Sequence, residues 1–272
     1  MGTVINRLDG EYDLDDGVYL QHLNEHDQSG WPTPETVHRW IVESTTGYTK
    51  ENPIDKRTCV RVRYAGQYHI DLPSYAILNG KPMLAEKGGK GWHESDPIAL
   101  TEWFVDQVKK SGEQLRRFVR FFKAWADYQS RSRGTMPCSL ILTVLAVQYF
   151  HSDERDDVSV ANTAKAICDA VQVQFCVYNP VDHTEELTRR LSDEEKKSFQ
   201  QAIADLANDA AEAINTEIRK DACKLWRNQF GDRFPLVEDD KVGDEEEQKK
   251  EDARRLVTVF APKNPIKPWG WR

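Results

Sequence analysis

The sequence has no long apolar run, and this shortage narrows the kinds of protein that it encodes. The longest apolar stretch, Leu140–Val147, is far shorter than the roughly 20 residues that a membrane-spanning helix needs. The amino terminus has no basic segment followed by an apolar one, so we expect no secretory signal. The sequence therefore predicts a cytoplasmic protein that does not associate with a membrane.

Cysteine is also scarce, and its spacing does not suit a metal site or a disulfide framework. The chain has five cysteines among its 272 residues, and none of them forms a C-x-x-C pair. Dispersed cysteines in odd number are typical of reduced thiols in an intracellular protein. A structural zinc site and a disulfide-stabilised secreted domain are both disfavoured.

Positive charge is in deficit as well. The chain has 37 Lys and Arg residues against 45 Asp and Glu residues, which gives a net charge of -8. This negative net charge argues against a protein whose overall electrostatic field attracts long nucleic acid. A nucleotide pocket is still permitted, because a few lysines and a divalent cation can supply positive charge locally. The length allows one large or two medium domains.

What the chain does have is a pair of closely spaced aspartates in the run Asp13–Leu20. Apolar residues alternate with other residues through this run, which predicts a short β-strand. On a strand, Asp13 and Asp15 project to the same face. Two carboxylates this close repel each other unless a cation lies between them. Mg²⁺ suits such oxygen ligands and leaves room for substrate phosphates.

A third aspartate, Asp71, lies in a predicted β-hairpin later in the chain. Two alternating runs, 60–64 and 68–72, flank a short Gly-containing break. Asp71 falls on the face opposite the apolar residues of the second run, and Pro73 ends that strand. A third carboxylate on a neighbouring strand would complete a clamp for two metal ions, about 3.5–4 Å apart, as used in nucleotidyl transfer.

Simpler interpretations of the three aspartates stay open at this point. A D-x-D pair in an acidic chain also occurs in solvated turns, and Asp71 could be a charge on an edge strand. An EF-hand is excluded, because the glycine and the later glutamate do not fall at the positions that Ca²⁺ needs. Arg61 and Arg63 are candidates for phosphate or base contacts on strand alternation alone, and we interpret His69 as structural.

The pattern changes from strand-like to helical near Pro97, where Asp96 can cap a helix. Further helices are predicted at 114–125, 139–150, 159–171 and 192 to about 218. The last of these opens with a capping box, Ser192-x-x-Glu195. The run 175–182 is interpreted as strand-like or irregular, and the charged run 238–251 as a solvated segment.

These residues also form an ordered series of motifs. The series consists of Gly2-Thr3, Asp13-x-Asp15-Asp16-Gly17, Asp71 in His-Ile-Asp-Leu-Pro, Trp92-His-Glu-Ser95-Asp96-Pro97, Arg116-Arg117, Lys123-Ala-Trp125, Cys138-Ser139, Asn179-Pro-Val, Trp226 and Phe230-Gly-Asp-Arg-Phe-Pro235. In order and spacing it resembles the bacterial cGAS/DncV-like nucleotidyltransferases (CD-NTases) over nearly the whole chain. The D-x-D-D-G form is most similar to the DncV-type branch.

The resemblance implies an α+β fold in two domains. Residues 1–97 would form an amino-terminally truncated, polymerase beta-like nucleotidyltransferase core with a mixed β-sheet. Residues 98–272 would form an α-helical C-terminal domain that resembles that of DncV and oligoadenylate synthetase.

The resemblance also implies an activity. It is that of a Mg²⁺-dependent nucleotidyltransferase that makes a cyclic di- or trinucleotide, similar to cyclic GMP-AMP, for antiphage (CBASS) signalling. The substrates would be ATP, GTP or other nucleoside triphosphates. Two Mg²⁺ ions, with Mn²⁺ as an alternative, would be the cofactors. Such an enzyme needs no long nucleic acid, and we expect a monomer, with a regulatory protein partner left open.

By the same resemblance, Asp13, Asp15 and Asp71 match the catalytic carboxylates that hold both ions. Lys123 and Ser139 match residues of the helical domain that bind the donor triphosphate. A lysine is a compact charge suited to phosphate oxygens, and a serine at a helix start lies where anions bind. Lys123 on its own also fits a solvated helix face.

Ser95 and Asp96 match a Ser-Asp pair that lies near the base of a bound nucleotide in DncV-type enzymes. The same two residues fit a helix cap equally well, and the two roles are compatible.

One departure from the family pattern concerns the start of the chain. Family members carry a Gly-Ser loop shortly before the first catalytic aspartate, and its backbone amides bind the donor phosphates. Here Met1-Gly2-Thr3 begins just after the expected place of that loop, and the amino-terminal helix is missing too. We therefore expect weak or absent activity, as in a truncated fragment or a nucleotide-binding pseudoenzyme. A polymerase-like or tRNA-modifying nucleotidyltransferase is a further alternative, disfavoured by the acidic balance.

Overall fold

The computed structural model describes residues 1–5, 12–64, 68–235 and 237, with only the backbone of Tyr12 and Asp13. The strands in these ranges are β1 (Tyr12–Asp15), β2 (Val18–Tyr19), β3 (Ile54–Asp55), β4 (Val60–Tyr64), β5 (Tyr68–Leu72), β6 (Ser74–Leu78), β7 (Lys81–Glu86) and β8 (Gly91–Glu94). The α-helices are α1 (Pro34–Thr45), α2 (Pro97–Ser111), α3 (Glu113–Arg133), α4 (Ser139–Gln148), α5 (Asp156–Val173), α6 (Asp193–Asn215) and α7 (Arg219–Phe230).

The chain divides into two compact units, and each is described by itself. The strand unit is Asp9–Leu100, and the helical unit is Met1–Leu8 together with Thr101–Arg272. The strand unit contains two four-stranded sheets, with the strand orders β1-β5-β4-β3 and β2-β6-β7-β8. Both sheets are mixed, because β1 is parallel to β5 and β2 is parallel to β6, whereas the other neighbours are antiparallel.

The two parallel pairs form one continuous alignment that passes from the first sheet to the second. Between the strands, the backbone amide of Asp16 donates to the carbonyl of Asp71 at 2.9 Å, and that of Val18 donates to the carbonyl of Pro73 at 2.9 Å. The single strand predicted over Asp13–Leu20 is therefore wrong. It is two strands, interrupted at Asp16 and Gly17, because β1 and β2 join different sheets.

The predicted hairpin of runs 60–64 and 68–72 is confirmed as β4 and β5, which pair antiparallel with Val62 opposite Ile70. A second hairpin joins β6 to β7 through Asn79 and Gly80, whose φ angles are 50° and 80°. Two consecutive positive φ angles are typical of the tight turns that favour Asn-Gly. This turn was not predicted from the sequence.

Helix α1 was not predicted, although its start carries a clear local signal. The Thr33 hydroxyl accepts a hydrogen bond from the Thr36 amide, and Pro34 occupies the first turn. The helix packs through the fully buried side chain of His38. The imidazole Nδ1 lies 2.8 Å from an oxygen of Asp55, and Nε2 lies 3.0 Å from the carbonyl oxygen of Ala85. One side chain thus links α1 to β3 and β7.

The helical unit has one apolar core, to which each helix from α2 to α7 contributes buried side chains. The predicted stripe on α3 is confirmed, since its members are buried: Leu115, Phe118, Val119, Phe122 and Trp125. The rings of Phe122 and Trp125 stack with centroids 5.2 Å apart, and Phe199 of α6 packs against both. Helix α7 was not predicted, and it joins this core through Trp226 and Phe230.

The predicted starts of α2, α3, α4 and α6 agree with the structure to within one residue. Helix α5 begins at Asp156, three residues before the predicted start at 159, and α3 continues to Arg133, past the predicted end at 125. Helix α2 begins at Pro97, and the Ala99 amide donates to the Asp96 carboxylate at 2.8 Å. The segment 175–182 is irregular apart from an isolated antiparallel β-bridge between Tyr178 and Glu186. The charged run 238–251 lies outside the described residues. None of the helices that the structure describes is long and apolar enough to cross a membrane.

The capping box of α6 generates a test of this part of the fold. The Glu195 amide donates to the Ser192 hydroxyl at 3.2 Å, and the Ser192 amide donates to the Glu195 carboxylate at 2.8 Å. Replacing Ser192 with Ala should lower the free energy of unfolding by about 1 kcal/mol, because the cap is lost. Urea denaturation followed by circular dichroism measures this. Ser152→Ala, in an exposed loop, should change it by less than about 0.5 kcal/mol. Equal effects would contradict the cap.

Candidate active site

Two of the predicted carboxylates lie side by side at the ends of β1 and β5. The parallel register pairs Asp15 with Asp71 and Asp13 with His69. Adjacent strands are about 4.8 Å apart, and residues paired in register project to the same face. Asp15 and Asp71 therefore share one face of the sheet. Asp13 is two residues before Asp15 on β1, at a position that belongs to the same face. The side chain of Asp13 lies outside the described residues.

Asp71 is 8% exposed and is held by cations. The Arg61 guanidinium donates two hydrogen bonds to its carboxylate, at 2.6 and 2.7 Å, and the Lys56 ammonium lies 3.5 Å away. Burial opposes ionisation of this carboxyl, but Arg61 and Lys56 outweigh it and hold the pKa of Asp71 below its usual range. Asp71 is thus an anion at neutral pH. Arg61, predicted only as a candidate for phosphate or base contact, pairs with a carboxylate.

The carboxylate pair has the chemistry of a divalent-cation site. Mg²⁺ and Mn²⁺ prefer oxygen ligands, and a carboxylate offers about four lone-pair positions, so Asp71 keeps acceptor capacity beyond the two bonds from Arg61. Among the residues whose side chains are described, no group of three or more His, Cys, Asp or Glu side chains is placed to hold a metal ion. Asp13, the third expected ligand, is not among those side chains. Asp15 and Asp71 fit a metal by donor type.

A pair of tyrosines lies four residues beyond the carboxylate pair. The register pairs Tyr19 with Tyr75, and their rings stack with centroids 5.2 Å apart. Burial, followed by the neighbouring Tyr19, raises the pKa of Tyr75 to about 12, while a hydrogen bond with Ser95 opposes that rise. The charges of Asp15 and Asp96 also act on the Tyr75 hydroxyl. Tyr75 is therefore in contact with the Tyr19 ring and with Ser95, and it lies within the electrostatic reach of Asp15 and Asp96.

The tyrosines were missed by sequence reasoning, although a signal was present. Each tyrosine follows its aspartate by the same four residues, Asp15 to Tyr19 and Asp71 to Tyr75. The equal spacing places both pairs in register once the two segments run parallel. Asp96 is confirmed as a helix cap through its bond from the Ala99 amide. Its expected place near a nucleotide base stays a prediction.

The remaining two predicted residues, Lys123 and Ser139, belong to the helical unit. The half-buried Lys123 ammonium donates to the Thr3 hydroxyl at 3.0 Å. Burial lowers the pKa of Lys123 to about 8, and the Cys138 thiol at the start of α4 opposes this shift. Ser139 is the first residue of α4, where backbone N–H groups have no partner inside the helix. The expected roles of Lys123 and Ser139 in binding a triphosphate stay predictions.

Comparisons with known proteins identify the family that the chain is similar to. A family model described as the nucleotidyltransferase domain of DncV-like cyclic GMP-AMP synthase matches residues 1–75. A second model, the C-terminal domain of cyclic GMP-AMP synthase, matches residues 112–241. Together they account for most of the chain.

Individual relatives give the same result. A cyclic GMP-AMP synthase of Escherichia albertii is 28% identical over 189 residues, which are 67% of this chain and 42% of the relative. The cyclic GMP-AMP synthase of Vibrio cholerae serotype O1 is 33% identical over 216 residues, 61% of this chain and 48% of the relative. The chain therefore spans about half the length of these curated relatives.

Solved structures share the fold. Escherichia coli DncV in its 3'-deoxy GTP bound form superposes with a TM-score of 0.68 and 24% identity. The match covers 81% of this chain and 63% of the DncV chain. Vibrio cholerae DncV in complex with the linear intermediate 5' pppA(3',5')pG superposes with a TM-score of 0.67 and 22% identity. The match covers 87% of this chain and 69% of the DncV chain.

The environment of Lys123 generates a pH-dependent prediction. Its folded pKa of about 8 lies below the roughly 10.4 of an unfolded chain, so unfolding takes up a proton between these values and stability rises with pH there. Lys123→Met should therefore increase the free energy of unfolding at pH 7, and this gain should shrink as the pH rises from about 8 towards 10. Urea denaturation at pH 7, 8 and 9.5 measures it. For the exposed Lys165, Lys165→Met should show no such trend. A pH-independent effect of Lys123→Met would contradict the assignment.

Proposed function

Because the chain belongs to the DncV-like nucleotidyltransferase family, we propose that it joins nucleoside triphosphates into a cyclic di- or trinucleotide. The observation that carries this proposal is the register pairing of Asp15 with Asp71 on one face of two parallel strands. Carboxylates at this spacing are the oxygen ligands that divalent cations use in nucleotidyl transfer. The same alignment places the stacked rings of Tyr19 and Tyr75 four residues beyond the carboxylates.

The substrates that we propose are ATP and GTP, and the product a cyclic GMP-AMP-like molecule. The relatives named above are cyclic GMP-AMP synthases, and related structures hold 3'-deoxy GTP or a linear intermediate of an adenine and a guanine nucleotide. A ribose hydroxyl of one nucleotide would attack the α-phosphorus of the other. The new P–O bond forms as the bond from the α-phosphorus to pyrophosphate breaks, and the hydroxyl proton passes to solvent water. A second round of the same step closes the ring.

Asp13, Asp15 and Asp71 are the residues that would hold two Mg²⁺ or Mn²⁺ ions. When bound, such ions lower the pKa of the attacking hydroxyl and stabilise the departing pyrophosphate. The contribution of the chain is to keep the carboxylates ionised and aligned. Arg61 and Lys56 do this for Asp71 by favouring its anionic form, so no proton must be displaced before an ion binds.

The other predicted residues would bind and orient the nucleotides. Lys123 and Ser139 would bind the donor triphosphate, because a half-buried ammonium and the free N–H groups at a helix start both favour phosphate. Ser95 and Asp96 would lie near a base, next to the stacked rings of Tyr19 and Tyr75. A base stacked on such rings is held without strong dependence on its identity.

In the cell, we propose a role in antiphage (CBASS) signalling, with the cyclic nucleotide acting as the message. The cytoplasm supplies the nucleoside triphosphates, and we place the protein there. We expect a monomer whose activity a regulatory protein can control. No long nucleic acid is needed in this scheme, in agreement with the net charge of -8.

A second candidate function is nucleotide binding without catalysis. The observation that favours it is the bidentate Arg61 guanidinium, which occupies both carboxylate oxygens of Asp71. A cation that competes with metal ions for this carboxylate would weaken transfer and leave nucleotide binding by the helical unit unaffected.

Asp15→Asn tests the proposed transfer. The purified protein is incubated with four radiolabelled nucleoside triphosphates and Mg²⁺, without RNA, and the product that resists phosphatase is measured together with pyrophosphate. Asp15→Asn should reduce product by at least about 100-fold, more than losses typical of residues that only support a metal ligand. Glu43→Gln removes the same charge from an exposed position on α1 and should leave the rate unchanged.

Three other results are informative. Equal product from Asp15→Asn and the unaltered protein would overturn the role of the carboxylates. ATP binding without pyrophosphate release would favour the second candidate, and a requirement for RNA would indicate a polymerase-like or tRNA-modifying enzyme.

A further inference from the structure

The fully buried side chain of His38 lies between two groups that only accept hydrogen bonds. Its Nδ1 atom is 2.8 Å from a carboxylate oxygen of Asp55 in β3, and its Nε2 atom is 3.0 Å from the carbonyl oxygen of Ala85 in β7. A neutral imidazole has one donor and one acceptor nitrogen, whereas an imidazolium has two donors. Both contacts are hydrogen bonds only when both ring nitrogens carry a hydrogen.

The Asp55 side chain is an anion, so it does not supply the second hydrogen itself. It also accepts from the Lys87 ammonium at 2.5 Å. Burial opposes ionisation of this carboxyl, but the hydrogen bonds from Lys87 and His38 outweigh it and hold the pKa of Asp55 below its usual range. Either neutral form of His38 would therefore set a ring nitrogen against an oxygen with no hydrogen between them. At a fully buried position such a contact costs free energy.

Few charges act on the His38 ring. The elements packed against α1 are β3, β4 and β7. Apart from Asp55, the charged side chains on and beside these strands form other ion pairs: Arg61 and Lys56 with Asp71, Arg63 with Glu51, Lys81 with Glu94, and Glu86 with Arg57, Lys90 and His93. On α1 itself, the charged residues are exposed: Glu35, Arg39 and Glu43. Asp55 thus favours a cationic ring, and Lys87, which shares its carboxylate, opposes one.

We propose that His38 is held as an imidazolium in the folded protein and acts as a pH-sensitive clip that fastens α1 to both sheets. β3 belongs to one sheet and β7 to the other, so the ring joins the two sheets through one helix. A ring that has lost one hydrogen donates to Asp55 or to Ala85, but not to both. Helix α1 then loses its bond to one of the sheets. The same contacts exist whether the chain is a synthase or only binds nucleotides.

The clip makes stability fall as the pH rises above neutrality. A histidine in an unfolded chain is mostly neutral above its reference pKa of about 6.5. A folded protein that keeps the second hydrogen at pH 7.5 releases it on unfolding, so its free energy of unfolding decreases with rising pH. This direction is opposite to the one expected from Lys123, so the two effects can be distinguished.

The direct test counts the hydrogens on the ring. The imidazole nitrogens of the whole, histidine-labelled chain are observed by NMR at pH 7.5. We expect two protonated nitrogens on His38, whereas the exposed His183 should be mostly neutral, with one.

Two substitutions of the charged neighbours identify the His38 signals and should change them in opposite directions. Asp55→Asn keeps an oxygen that accepts from Nδ1 but removes the negative charge, so the second hydrogen should be lost at a lower pH than in the unaltered protein. Lys87→Met removes the competing cation, so the second hydrogen should be lost at a higher pH. A ring that serves only as packing would not respond in this way.

Urea denaturation at pH 6.5, 7.5 and 8.5 measures the effect on stability. The unfolding constant of His38→Gln, divided by that of the unaltered protein, should fall several-fold, and at most about tenfold, for each pH unit above 7. His183→Gln removes an exposed imidazole, and its ratio should not depend on pH.

Two results would overturn the proposal. One is a single protonated nitrogen on His38 at pH 7.5, and this result needs no His38 variant, so it decides the question even if His38→Gln does not fold. The other is a ratio of unfolding constants for His38→Gln that stays constant between pH 6.5 and 8.5.

Discussion

The strand unit depends on one constraint, the parallel register between the segments that contain β1–β2 and β5–β6. Side chains alternate along a strand, so a slip by one residue would turn Asp15 and Asp71 to opposite faces. The register survives the passage from one sheet to the other, because Asp16 and Val18 keep donating to the neighbouring segment. Pro73 has no N–H to donate, yet its carbonyl still accepts from Val18. The carboxylate pair and the tyrosine pair follow from this alignment together.

The balance between positive and negative side chains differs between the two units. In the strand unit, Asp71 is surrounded by Arg61 and Lys56, so an anion is over-compensated and kept ionised. In the helical unit, Lys123 and Arg120 lack carboxylate partners among the described residues, so cations are left under-compensated. An acidic chain has many carboxylates with which to balance two cations. The lack of carboxylate partners for these two cations among the described residues is the arrangement expected where a ligand supplies the negative charge.

Local patterns in the sequence predicted much of the secondary structure. The stripe on α3 and the capping box of α6 were read correctly, since both depend on residues within a few positions of each other. Helix α1 was missed although Thr33 and Pro34 are its start signals, because its apolar face is narrow and its burial relies on His38. The Asn79-Gly80 turn was also present in the sequence as a standard hairpin signal.

The sequence by itself determined which residues can do chemistry: the aspartates at period two, the lysine on a helix, and the serine at a helix start. Tertiary structure alone decided which of them meet. The pairing of Asp15 with Asp71 joins segments more than 50 residues apart, and the hydrogen bond from Lys123 to Thr3 joins α3 to the segment Met1–Thr3. Alternation and helical spacing act over a few residues, whereas register, desolvation and charge pairing are properties of contacts between distant segments.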